Sequence, residues 1–259
     1  MNKVLSTVAL LAITGNMLIA GGDIAPVEPV VPEVEVVVSD SWEYSASLYL
    51  FMADIGGETA FGNNFTMDFN DIIDSLNFAF MGTLGAQKGK WGIMADVMYL
   101  DVEDDVNIPL GPLGLLNITN VELKNWVFSP IVTYRVIESD QMNLDLLGGA
   151  RYLYLKGSME INNRIPWASS DDIWDGIVGV RGTYDLNDKW YIPFQLDIGA
   201  GATDLTWQAF AAVGYKFENW DLLAGYRYLE WNFDDSDTGG DKFNDLNFKG
   251  PIIGAKFHF

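Results

Sequence analysis

From Trp42 to Phe259 apolar side chains return at every second position, and the runs that carry this alternation come in pairs joined by very short polar turns. A period of two marks strands with one apolar face, and a helix does not carry it. Folding the chain at each turn tests the reading, because a slip of one residue would set apolar positions against polar ones. A hairpin at Lys88-Gly89 sets Ala86 opposite Trp91, Leu84 opposite Ile93, Phe80 opposite Val97 and Phe78 opposite Tyr99, with Thr83 against Met94 and Met81 against Asp96 behind them. A turn centred on Asp140 pairs Val136 with Leu144, Tyr134 with Leu146, Phe128 with Tyr152 and Trp126 with Tyr154. Its other face brings Arg135 against Asp145 and Ser129 against Arg151.

Around Asn187, Tyr184 meets Trp190, Val180 meets Phe194 and Val178 meets Leu196, while Asp185 and Lys189 close the turn with opposite charges. At Glu218-Asn219, Phe217 meets Trp220, Tyr215 meets Leu222 and Ala211 meets Tyr226, with Lys216 facing Asp221 behind them. The pattern predicts ten strands, at about 42–53, 77–87, 90–103, 119–137, 142–157, 172–185, 189–199, 205–217, 220–233 and 245–259, with eight or twelve as the alternatives. An even count, short turns after every second strand and mostly longer connections between predict an all-β, antiparallel up-and-down transmembrane β-barrel over residues 42–259.

Alternation alone leaves open which face points inward. A soluble lipocalin-like barrel is apolar inside, and a membrane barrel is apolar outside. Trp42, Trp91, Trp190 and Trp220 start strands at the turn side, and Trp174, Trp207 and Trp231 lie near the opposite ends. Two such aromatic belts are expected on an outer face whose rings meet two membrane interfaces. The other face carries Asp96, Arg135, Asp145, Arg151, Asp175, Arg181, Asp197 and Arg227, more charge than a soluble core tolerates. These residues are the candidate lumen-lining network, with Arg135–Asp145 and Arg151–Asp175 as its expected pairs.

Asn2 and Lys3 precede an apolar run from Val4 to Ala12 and small residues up to Gly21, which predicts a signal peptide over 1–20 and Sec-type export. Gly15 and Asn16 interrupt what would be a short retained helix, and no later run reaches the roughly 18 apolar residues of a helical span. With no Cys in the chain, a lipoprotein anchor, disulfides and thiol chemistry are excluded. Pro26, Pro29 and Pro32 make residues 21–41 an extended periplasmic linker.

The terminal Phe259, with Phe257, Ala255 and Ile253 at every second position before it, resembles the closing strand of Gram-negative outer-membrane barrels. In that family the pattern is the signal read by the assembly machinery. The run Ser75-Leu-Asn-Phe-Ala-Phe-Met-Gly and the run Gly89-Lys-Trp-Gly-Ile-Met-Ala-Asp-Val-Met-Tyr-Leu-Asp are similar to stretches of small porin-like, OmpA-like barrel proteins, many of which have no assigned function. The resemblance implies the outer membrane as location, and outer-membrane lipid, lipopolysaccharide and the barrel-assembly machinery as partners.

Charge and chemistry narrow the function. A formal net charge of -21 repels nucleic acid and acidic headgroups, so nucleic acid is not a partner. His258 is the one histidine and stands beside the C-terminus, far from the outer half of the membrane where hydrolases of such barrels place a His base. No enzyme and no cofactor are expected. Acidic clusters at Asp101-Glu103-Asp104-Asp105, Asp171-Asp172 and Asp234–Asp241 are read as solvated outer loops, with weak Ca²⁺ or Mg²⁺ bridging to lipopolysaccharide phosphate as their functional version. Asn70 to Leu76 reads as a short helical turn capped by Asn70, at the mouth of the barrel. The expected function is a narrow, porin-like passage for small solutes. The alternative is a sealed structural or surface-interaction barrel that acts through its acidic outer loops without transport.

Overall fold

The computed structural model describes residues 41–59, 64–104, 108–110, 116–161, 165–233 and 243–259. The predicted leader and most of the Pro-rich linker lie outside them, as does the acidic run Asp234–Asp241. In chain order the elements are β1 (Glu43–Phe51), β2 (Asp54–Thr59), β3 (Asn64–Met67), α1 (Phe69–Asp74), β4 (Leu76–Lys88), β5 (Trp91–Asp104), β6 (Ile108–Leu110), β7 (Leu116–Glu138), β8 (Met142–Ile161), β9 (Ile165–Asp185), β10 (Trp190–Gly201), β11 (Leu205–Lys216), β12 (Trp220–Asn232) and β13 (Phe243–His258).

The wall runs β1-β4-β5-β7-β8-β9-β10-β11-β12-β13, every neighbour antiparallel, and β13 pairs back onto β1 to close a ten-strand barrel. Closure removes the exposed sheet edges that would otherwise invite pairing with other chains. The first wall strand is broken at Met52-Ala53: β1 pairs with the last part of β13 and β2 with its first part, and β3 folds back on β2. β6 adds a short strand to β7.

Two hairpins keep the register expected from sequence. Tyr134 faces Leu146 and Arg135 faces Asp145, with a bulge that seats Ile137, not Val136, opposite Leu144. Tyr215 faces Leu222 and Lys216 faces Asp221. The other two are shifted by two residues. Lys88 faces Trp91 and Ala86 faces Ile93, so the turn is Gly89-Lys90, with Gly89 at φ 56, a conformation glycine adopts without strain. Tyr184 faces Ile192 and Val180 faces Leu196, because Asn187 Oδ1 accepts the backbone N–H groups of Lys189 and Trp190 and organises a wider turn. A shift of two preserves both faces, so apolar matching alone does not detect it.

The outer face is apolar and aromatic, with Leu84, Trp91, Ile93, Val178, Leu196 and Ile198 exposed. Rings pair across strands at two levels. Trp91 packs on Tyr134 and Trp190 on Tyr215 near the short turns, and Tyr99 on Trp126, Tyr152 on Trp174 and Trp207 on Tyr228 near the loops. Trp91 and Tyr99, like Trp220 and Tyr228, are separated by eight residues along one strand. At about 3.4 Å per residue and a tilt of about 40°, that is roughly 20 Å along the barrel axis, near the height of an apolar membrane band. Trp231 does not belong to this girdle, contrary to the sequence expectation: it is 0% exposed, inside the barrel, edge-on to Phe248. Trp126 takes a girdle place that the sequence reading left unassigned.

The short helix also differs from expectation. α1 starts at Phe69, with Asp68 and not Asn70 in the cap position, and the Phe69 N–H donates to Asp54 Oδ1 at 2.9 Å. Its Ile72 is buried against the apolar cluster inside the barrel, which anchors the helix at the loop end of the lumen.

Candidate functional site in the barrel lumen

Inward-pointing positions on successive strands bring a charged layer together at mid-height. Asp96 on β5 accepts Tyr49 Oη at 2.7 Å and Thr83 Oγ1 at 2.8 Å on one oxygen, and Arg227 Nη2 at 2.8 Å on the other. Arg227 also donates from Nε to Gln208 Oε1 at 2.9 Å, and its guanidinium lies 5.8 Å from the centroid of the Phe51 ring. Gln208 Nε2 reaches Asp197 Oδ2 at 3.2 Å, and Asp197 Oδ1 accepts Arg151 Nη2 at 2.6 Å. Arg151 Nη1 ends the chain on Thr206 Oγ1 at 3.0 Å. The links join β1, β4, β5, β8, β10, β11 and β12, so the network crosses the lumen instead of running along one wall.

Arg151 and Asp197 have no exposed side-chain surface, and such a pair is tolerated only when its remaining polar atoms are also bonded. Most are. Arg151 Nε and Asp175 Oδ2 are buried without a hydrogen-bond partner among the described residues.

On the loop side of this layer the lumen is apolar. Phe51, Ile55, Met98, Val127, Leu153, Ile173, Leu229, Trp231, Leu246 and Phe248 form one buried cluster, closed by Ile72 of α1. Val127, Leu153, Leu229 and Trp231 have 0% exposure, so at their level the barrel is filled. Each such side chain contributes roughly 1.5–3 kcal/mol by leaving water.

On the turn side the lumen is open and polar. A cavity of about 430 Å³ extends from the Asp96–Arg227 layer to a rim formed by Glu43, Asp185, Lys216 and His258. Arg135 Nε donates to Asp145 Oδ1 at 2.8 Å, Lys216 Nζ meets Asp185 Oδ1 at 2.5 Å, and Asp221 Oδ2 accepts Tyr191 Oη at 2.6 Å and contacts His258 Nε2 at 2.9 Å. Tyr191 lies over Gly214 of the neighbouring strand, where a Cβ would stand 2.4 Å from its Cε1, and Tyr49 lies likewise opposite Gly254. Glycine at 214 gives the Tyr191 phenol room to reach Asp221, and at 254 a Cβ would stand 2.7 Å from Tyr49 Cβ.

All of Asp96, Arg135, Asp145, Arg151, Asp175, Arg181, Asp197 and Arg227 sit on inward-pointing strand positions; Arg135 pairs with Asp145 as the sequence reading expected, but Arg151 does not pair with Asp175. Arg151 faces Asp175 across β8 and β9, yet its ion pair is with Asp197, while Asp175 Oδ1 accepts the Thr203 N–H at 2.9 Å. Asp185 pairs with Lys216 and not with Lys189, whose ammonium lies over the Tyr215 ring. Tyr49, Gln208, Tyr191, Asp221 and Lys256 belong to the lumen as well. Their shared parity with Asp96 or Arg227 on the folded wall is the signal that places them there.

Phe259 is exposed at the turn end and exchanges backbone hydrogen bonds with Tyr44, and Phe257 on the outer face stands opposite Trp220. Among the described residues no three acidic or His side chains converge on one point. Asp101 is engaged by Lys124 at 3.5 Å, and Glu103 by Asn77 Nδ2 at 3.1 Å.

No family model matches the chain, and no curated protein is similar to it. Among solved structures it is similar to the outer-membrane protease OmpT of Escherichia coli, with TM-score 0.48 and 8% identity over 86% of this chain and 98% of that one. It is also similar to the attachment invasion locus protein Ail of Yersinia pestis, with TM-score 0.39 and 10% identity over 84% and 98%. Neisserial surface protein A gives TM-score 0.36 and 13% identity over 84% and 97%. At these identities and scores no activity passes from them to this chain.

Proposed function

We propose that this protein is an integral outer-membrane barrel whose lumen is sealed on the outer side and open as a polar vestibule toward the periplasm. The observation that carries the reading is the filled layer of Val127, Leu153, Leu229 and Trp231, backed by the Asp96–Arg227–Gln208–Asp197–Arg151 network beneath it. Support for the membrane comes from the outer face, where large apolar side chains stand in water's place between two aromatic levels. Such a surface has no use on a soluble monomer. With the short turns and Phe259 at one end and the long connections at the other, the vestibule faces the periplasm, as in bacterial barrels generally. A barrel of this kind works through its two ends: acidic outer connections on one side, the cavity on the other.

A porin-like passage is the second reading, favoured by the size and polarity of the vestibule. It requires the apolar layer and Ile72 to move aside. Single-channel recording of the purified, folded protein in planar bilayers separates the two. The sealed barrel inserts and stays electrically silent, whereas stable discrete steps in the unmodified chain would overturn the seal.

A further inference from the structure

Arg181 and Lys256 stand apart from every other cation of the vestibule. Arg227, Arg135 and Lys216 each hold a carboxylate within 2.8 Å. Arg181 and Lys256 line the same cavity and have no carboxylate within ion-pair distance among the described residues. Each nevertheless sits directly opposite an acid: Arg181 faces Asp145 across β8 and β9, and Lys256 faces Asp221 across β12 and β13. Both acids are already engaged. Asp145 is turned to Arg135, and Asp221 is held by Tyr191 and by His258. What Arg181 meets instead is the sulfur of Met94.

Two cations that line one cavity, with the acids opposite them tied elsewhere, are left without a neutralising partner. A wall built only for stability would let Asp145 and Asp221 neutralise them. We infer that Arg181 and Lys256 form a binding site for a small oxyanion, phosphate- or carboxylate-bearing, that enters from the open end of the vestibule. A planar guanidinium fork and a compact ammonium lining one cavity of about 430 Å³ suit a ligand of metabolite size. Gln195, Tyr191 and Thr183, which line the same space, supply neutral polar contacts.

The site rests on the cavity and not on the seal: a conducting barrel would leave it standing, and a silent barrel that binds no anion would remove the site alone. The test is calorimetric titration of the folded protein in detergent at low salt, with inorganic phosphate in one arm and succinate in the other. The expected result is saturable binding of at least one of them, weakened about tenfold or more in Lys256→Gln and in Arg181→Gln and unchanged in Lys88→Gln at the turn. Whichever anion binds more tightly names the ligand class. Heat-modifiable migration verifies that each variant is folded, and Lys256→Gln, which leaves Asp221 with its Tyr191 and His258 partners, is the variant least exposed to a folding defect. Absence of saturable binding of both anions to the unmodified chain, or equal binding to it and to folded Lys256→Gln, overturns the inference.

Discussion

The two halves of the lumen solve opposite problems with the same strands. Toward the loops, β5, β7, β8, β9, β12 and β13 point Met98, Val127, Leu153, Ile173, Leu229 and Phe248 inward, and the interior is a dry core like that of a soluble domain. Toward the turns, the same strands point Asp96, Arg135, Asp145, Arg181, Asp221 and Lys256 into a wet cavity. The difference shows that strand alternation specifies only that a position faces inward. Where along the strand it sits decides whether it is selected for volume or for charge.

Breaking the comparison begins with the dry half. Trp231→Ala should cost about 3–5 kcal/mol in urea unfolding of the folded barrel in detergent, because the emptied space lies in a packed layer. A loss near zero would mean that this layer is loose and that the seal is not a core. Removing one partner of the boundary layer comes next. Arg151→Met should cost about 3 kcal/mol by leaving Asp197 buried and unpaired, whereas Arg151→Met combined with Asp197→Leu should recover most of that loss. If the double variant is as unstable as the single one, the network positions the wall through more than that one pair.

In the wet half the effects shrink. Arg135→Ala should cost only about 1–2 kcal/mol, and exchanging Arg135 and Asp145 for one another should restore part of it, since water reaches both side chains. At the rim, Lys216→Gln should change stability by less than about 0.5 kcal/mol. A rim effect as large as that of Trp231 would erase the distinction between the halves.

Much of the wall was readable from the sequence, and the reasons for the exceptions are physical. The ten wall strands and their inward faces follow from a period of two, which survives any even slip. That is why the hairpins at Gly89 and Asn187 could be misplaced by two residues while every face stayed right. Turn chemistry, a positive φ at Gly89 and the Asn187 side-chain bonds, fixes those registers and leaves no trace in the apolar pattern. Trp231 was read by its position near a strand end, although it shares parity with Arg227 and Leu229 on β12 and so had to point inward. The partner choices across the lumen were not readable. Asp96 and Arg227 lie 131 residues apart, and their meeting depends on how far the strands stagger around the closed wall.

The break in the first wall strand bears on how such a cylinder is shut. At Met52 the wall bond to β13 runs from the Met52 N–H to the Pro251 carbonyl at 2.9 Å, and Pro251 has no N–H to return. The missing donor falls where β1 ends and β2 has not begun, so the last strand meets the first as two separate stretches. The join is a zip with a missing tooth: the stretch near Phe259 pairs along β1, and the stretch from Phe243 to Lys249 pairs along β2. The seam is thus the line along which the backbone ladder of the closed wall is interrupted.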